Sequence, residues 1–248
     1  MKIIGPQLAA SVLTIPLDDV RPVQGITPQQ IVDVVVPRYG FPARPRAMPP
    51  SPFHVPASPG VAGAPIAQMM IQVPTILRNG VANIGEQKIV IVQLDVMPDV
   101  SRIVVHTVTT DEGDVVLDDL VVLLEAACGF RNLKQFTSRL YVSNIIAQFD
   151  KGLEDYIPMF KKIQEILTTP MRSSTGINED VKIERLAFAF DPLLISAVKS
   201  QNNLGNFVLE RRQERPFSEN RYFSSAPLRT TDHIQILEKI AAALEQGG

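Results

Sequence analysis

Four arginines crowd one short stretch, Arg211, Arg212, Arg215 and Arg221, and Tyr222 and Phe223 follow the last of them directly. Guanidinium groups pair with phosphates and aromatic rings stack on bases, so Arg211, Arg212, Arg215, Arg221 and Tyr222 form a candidate nucleic-acid surface. Glu210, Glu214 and Glu219 are interleaved with them and leave the block at only +1. Alternating charge of this kind also marks a solvated, ion-paired sheet face.

A second concentration is acidic: Asp111, Glu112 and Asp114, then Asp118 and Asp119. Carboxylates are hard oxygen ligands, but the alternating ligands and terminal glutamate of an EF-hand are not at the required spacing. A turn leading into a helix attracts acids for its own reasons, through capping and the helix dipole. His106 and His233 supply groups for a metal-dependent or His/Asp hydrolase, yet no Gly-x-Ser-x-Gly turn presents a nucleophile. The Arg172-Ser173-Ser174-Thr175-Gly176 stretch has one glycine and no Lys-Ser/Thr pair, so it is no phosphate loop, and no dinucleotide fingerprint occurs. The sequence therefore assigns no catalytic residue, no metal ligand and no cofactor. Cys128 is the single cysteine; it rules out an intrachain disulfide, suits a reducing cytoplasm, and sits among Ala126, Ala127 and Gly129 as a small packed residue.

The third feature is built for contact. Ten of the twenty prolines fall between Pro37 and Pro74, and no acid occurs between Val34 and Gly85. Proline at this density excludes helix and central strand. Arg46, Pro49 and Pro52 have the Arg-x-x-Pro-x-x-Pro spacing of a polyproline II ligand, and Phe53 beside them offers an apolar anchor for a partner protein. Chance PxxP spacing is common in proline-rich linkers, so an arm lying over another subunit explains the same residues.

The elements that position these groups read as an α+β fold. Strands are expected near residues 87 to 109, 138 to 149, 181 to 190 and 206 to 226, mostly antiparallel. Helices near 118 to 128, 155 to 168 and 232 to 246 are expected on one face. Asp118 is the expected cap of the first and Gly129 its left-handed stop; Asp155 is the expected cap of the second. Ile31 to Val36 is β-branched enough to be a strand. The divisions expected are an N-terminal segment (1–36), a proline-rich arm or linker (37–74) and a core (75–248). No period of 20 to 50 residues recurs, which argues against a solenoid or propeller. With 45% hydrophobic and 20% charged residues and a net charge of -2, the chain has no overall field for nucleic acid or an anionic membrane, and no uncharged run is long enough to span a bilayer. The function expected is that of a non-catalytic binding or assembly protein, self-associating as a homo-oligomer or docking on a partner protein. The alternatives are the arginine-based nucleic-acid protein and the hydrolase.

Overall fold

The computed structural model describes residues 1–20, 22, 25–42, 74–176, 178–189, 206–212 and 214–247. The fold is α+β, with one antiparallel sheet and several helices. The first half runs β1 (Lys2–Pro6), β2 (Ala9–Thr14), α1 (Leu17–Val20), α2 (Pro28–Tyr39), β3 (Thr75–Ile84), β4 (Gln87–Val96), β5 (Arg102–Thr107) and α3 (Thr110–Cys128). After the short α4 (Leu133–Phe136), the second half runs β6 (Ser138–Gln148), α5 (Leu153–Tyr156), α6 (Pro158–Thr175), β7 (Arg185–Phe188), β8 (Phe207–Arg211), β9 (Arg221–Ala226) and α7 (Thr230–Gly247).

The strand order is β3-β4-β5-β2-β6-β9-β8-β7, with β1 joining β6 beside β2. From β2 onward each half has the same plan: a strand, a four-residue helix, a long helix, three strands and a long helix. The two first strands, β2 and β6, pair with each other, and in both halves the later strands are laid outward in reverse order. The sheet is thus an internal pair about an approximate two-fold axis between β2 and β6. The helix starts meet on that axis. The Thr110 amide donates to Thr230 Oγ1 at 2.9 Å and the Thr230 amide donates to Thr110 Oγ1 at 2.6 Å, so each threonine satisfies a free amide at the start of the other's helix.

Period-two alternation fixes the buried face: Ala9, Ser11 and Leu13 are buried while Ala10, Val12 and Thr14 are half-buried. α2 and α3 close one core cluster over the first half, including Ile31, Val35, Ile91, Leu94, Val105, Leu117 and Leu120. A smaller cluster in the second half gathers Ile145, Phe149, Leu153, Leu209, Tyr222 and Leu237. β2 lies at the centre of the sheet, and Ile31, Val32 and Val35 of α2 lie in the first core.

Three local expectations are corrected. Ile31 to Val36 is helix, because Thr27 and Gln30 form a capping box, Pro28 sits in the first turn and Gly40 ends the helix at φ 59. Its buried residues, Ile31, Val32, Val35 and Tyr39, follow the helical period, which overrides β-branched propensity. Asp118 is not a cap. Thr109 caps α3, accepting from the Glu112 amide at 3.2 Å, so Asp111 to Asp114 are helix and not a turn, while Gly129 stops it at φ 73. Asp155 caps nothing: it lies in α5, and α6 starts with Pro158 in its first turn after Ile157.

Candidate functional site

The arginine stretch divides by strand alternation. Leu209 and Arg211 share one side of β8 and both are buried. The Arg211 guanidinium donates from Nη2 to both Glu154 oxygens (2.7 and 2.8 Å), from Nε to the Ile183 carbonyl (2.9 Å) and from Nη1 to the Phe217 carbonyl (2.8 Å). It lies between the rings of Phe217 and Tyr222, 5.1 and 5.0 Å from their centroids. Burial works against ionised Glu154, but its own backbone amide, Arg211 and Lys182 outweigh that and hold the carboxyl below its usual range. Tyr222 is buried edge-to-face on Phe149, its oxygen accepts from the Leu153 amide at 3.2 Å, and burial pushes its hydroxyl up to about 12. Arg211 and Tyr222 hold α5, β8 and β9 together and offer nothing to a phosphate or a base.

The remaining arginines face outward. Arg212 pairs with Glu214, Arg221 with Glu219 and Arg185 with Glu210, while Arg215 is exposed. Arg211, Arg212, Glu210, Glu214 and Phe223 are among the residues that line a shallow cleft of about 340 Å³, in which two carboxylates balance two arginines, one of them committed to Glu154 and the other to Glu214. The partner-binding candidates Arg46, Pro49, Pro52 and Phe53 lie outside the described residues.

Among the described residues His106, His233 and four of the α3 acids are engaged with neighbours. His233 is fully buried; its Nδ1 is 2.7 Å from Ser143 Oγ and its Nε2 is 2.8 Å from Ser224 Oγ. Ser224 Oγ donates to the Val208 carbonyl, so it accepts from Nε2–H, which leaves Nδ1 to accept from Ser143. Burial pushes this imidazole down to about 4. A neutral ring sealed between two serines ties α7 to β6 and β9. His106 lies 3.2 Å from Asp95, whose carboxylate also accepts from Gln93. The α3 acids are spent on neighbours: Asp114 on Arg139, Arg229 and Tyr141, Asp118 on Arg139, Asp119 on Arg38 and Tyr39, and Asp111 on Thr231. Among the described residues no group of three or more His, Cys, Asp or Glu is placed to hold a metal ion. Cys128 is half-buried, and burial raises its thiol above the ordinary value, away from nucleophile chemistry.

The feature that remains unexplained by internal contacts is α6. Met159, Ile163, Ile166, Leu167 and Met171 recur at helical spacing on one side and all are exposed, Met159 at 63% and Ile166 at 62%. The chain's own contacts run along the opposite, polar side. Thr168 Oγ1 accepts from the Val181 amide at 3.2 Å, and Arg172 binds the Glu179 carbonyl and the Asp180 carboxylate. This reverses the usual arrangement, in which the apolar stripe faces the protein. The equivalent helix of the first half, α2, obeys the rule and buries its stripe. Helical spacing in the sequence marks Tyr156, Ile157, Phe160, Ile163, Ile166 and Leu167 as one stripe; in the fold Tyr156 is buried, Ile157 and Phe160 are half-buried, and the exposed side is extended by Met159 and Met171.

Among the described residues no helix is long and apolar enough to cross a membrane. Compared with known proteins, the chain matches no protein family and no curated protein.

Proposed function

We propose that this chain is a non-catalytic assembly protein whose contact surface is the apolar stripe of α6. One observation carries the reading: α6 turns Met159, Ile163, Ile166, Leu167 and Met171 to solvent, whereas its internal counterpart α2 is packed. A contiguous apolar stripe of this size on a structured helix is the signature of a protein contact. The engagement of His106, His233, Asp111, Asp114, Asp118 and Asp119 with structural partners supports the non-catalytic part of the reading. The burial of Arg211 and Tyr222 withdraws the two central groups of the nucleic-acid alternative.

The test is oxidative footprinting of Met159 and Met171 with peroxide. A docked thioether is shielded and a solvated one becomes the sulfoxide. In the purified chain at nanomolar concentration both methionines are expected to oxidise readily, and in the cells that make the protein both are expected to be protected. Equal oxidation in the two settings would overturn the assembly reading.

A further inference from the structure

The internal pairing of the two halves identifies where the α6 stripe belongs. In the first half α2 lies beside α3 over β3 and β4, with Arg38 and Tyr39 reaching Asp119 on that flank of α3. Matching the two axial threonines, Thr110 and Thr230, sets Val116 and Leu120 of α3 equivalent to Ile236 and Ile240 of α7. Val116 and Leu120 are fully buried; Ile236 and Ile240 are half-buried. The sheet beneath that flank of α7 carries Leu186, Phe188 and Phe207, with Phe188 62% exposed and stacked on Phe207, which in turn meets the His233 ring. The second half therefore has both a helix with an uncovered apolar stripe and an incompletely covered apolar slot where such a helix packs in the first half.

Resting on the assembly reading above, we propose that α6 of one copy docks in the α7–β7–β8 slot of a second copy, and the reverse, in a two-fold exchange. Its own slot is denied to α6 by its tethers. It follows α5 directly, α5 is pinned by the buried Glu154–Arg211 pair, and the polar side of α6 is held by the segment returning to β7, so the stripe points away. A second copy meets no such restraint, and reciprocal exchange closes the assembly at a dimer. Charge agrees. With Arg172 paired to Asp180, α6 keeps Lys161 and Lys162 against Glu165 (+2 and −1, net +1); with Glu245 beside the N-terminal amine, α7 keeps Asp232 and Glu238 against Lys239 (−2 and +1, net −1).

The experiment uses the full chain. Light scattering coupled to size exclusion is run across a dilution series on the wild type and on Ile166→Asp and Phe188→Asp, both at exposed positions, with far-UV circular dichroism as the fold control. The expected result is a dimer whose dissociation constant rises at least about a hundredfold in either variant, because a two-fold interface loses each buried side chain twice. In a Cys128→Ser background, mixing Ile166→Cys chains with Phe188→Cys chains is expected to yield a disulfide-linked heterodimer under mild oxidation. A monomer at every concentration overturns the second-copy docking. So does an oligomer that survives both substitutions without the mixed crosslink. Neither result bears on methionine protection in cells, which decides the broader reading separately.

Discussion

Replacing Glu154 by Ala removes the carboxylate from a guanidinium whose side chain is 1% exposed, as is that of Glu154 itself. Two carbonyl partners remain to Arg211, but no opposite charge, and breaking a buried pair in this way costs about 3–5 kcal/mol. Arg211→Met should cost about 1 kcal/mol less, because Lys182 Nζ stays 3.4 Å from the Glu154 carboxylate and keeps its charge compensated. The double replacement Glu154→Met/Arg211→Met leaves no stranded charge and should recover most of the loss. Against a total stability of about 5–15 kcal/mol, Glu154→Ala lowers Tm by roughly 6–20 °C for a chain of this size. Urea unfolding of the four proteins, followed by circular dichroism, measures the cycle. The pH dependence has a definite sign. The folded carboxyl lies below its usual range, so its contribution is complete above the ordinary carboxylate value and disappears as pH falls through the folded one. A cost under about 1 kcal/mol for Glu154→Ala, with no coupling in the cycle, would mean that water reaches the pair. Arg211 would then return to the surface as a nucleic-acid ligand.

Two further outcomes follow from the same packing. His233 is held near 4, below its ordinary 6.5, so the unfolded chain takes up the proton first as pH drops. Roughly 2 kcal/mol of stability should disappear between pH 7 and pH 4.5, and His233→Gln should flatten that slope in urea unfolding while starting less stable at pH 7. Gly113→Ala should cost about 1–2 kcal/mol despite the better helix propensity of alanine, because the new Cβ would lie 2.3 Å from Ser11 Oγ. A melt showing stabilisation would place α3 farther from β2 than described.

What the sequence made legible was what local periodicity controls. The strands over Gln87–Val96 and Ser138–Gln148 and the stop at Gly129 are readable from spacing, as are Ile163, Ile166 and Leu167 of the α6 stripe but not Met159 and Met171. Arg211 was missed for an instructive reason: its four-arginine cluster was treated as one surface, although alternation along β8 sends Arg211 inward with Leu209 and Arg212 outward. Its partner Glu154 lies 57 residues away, and no local pattern joins them. Ile31 to Val36 reads as strand because Ile31, Val32 and Val34 to Val36 weigh toward β, whereas the capping box at Thr27 and Gln30 carries the signal for the helix that forms. The internal pairing escaped because its period exceeds the 20 to 50 residues of common repeats and its residues have diverged. A trace survives in α2 and α6: each has proline in its first turn and again near its end, and each stops at a left-handed glycine, Gly40 or Gly176.

Two halves built on one plan have the same need to cover the outer strands and the flank of the last helix, and the first half meets it with Ile31, Val32 and Val35 of α2. The second half keeps the equivalent helix, lengthens it, retains its apolar stripe and then ties it down by the wrong side through Thr168 and Arg172. Leaving five large apolar side chains in water forgoes about 1.5–3 kcal/mol each relative to burial, a total on the scale of the whole stability of a domain. Polar side chains at Met159, Ile163 and Ile166 would make an isolated α6 soluble at no cost to its helix propensity. Their replacement by Glu or Lys should leave the isolated fold intact, because the core clusters include none of them. A contact that covers these side chains would recover that free energy, and the partly exposed slot beside α7 is the cover we propose.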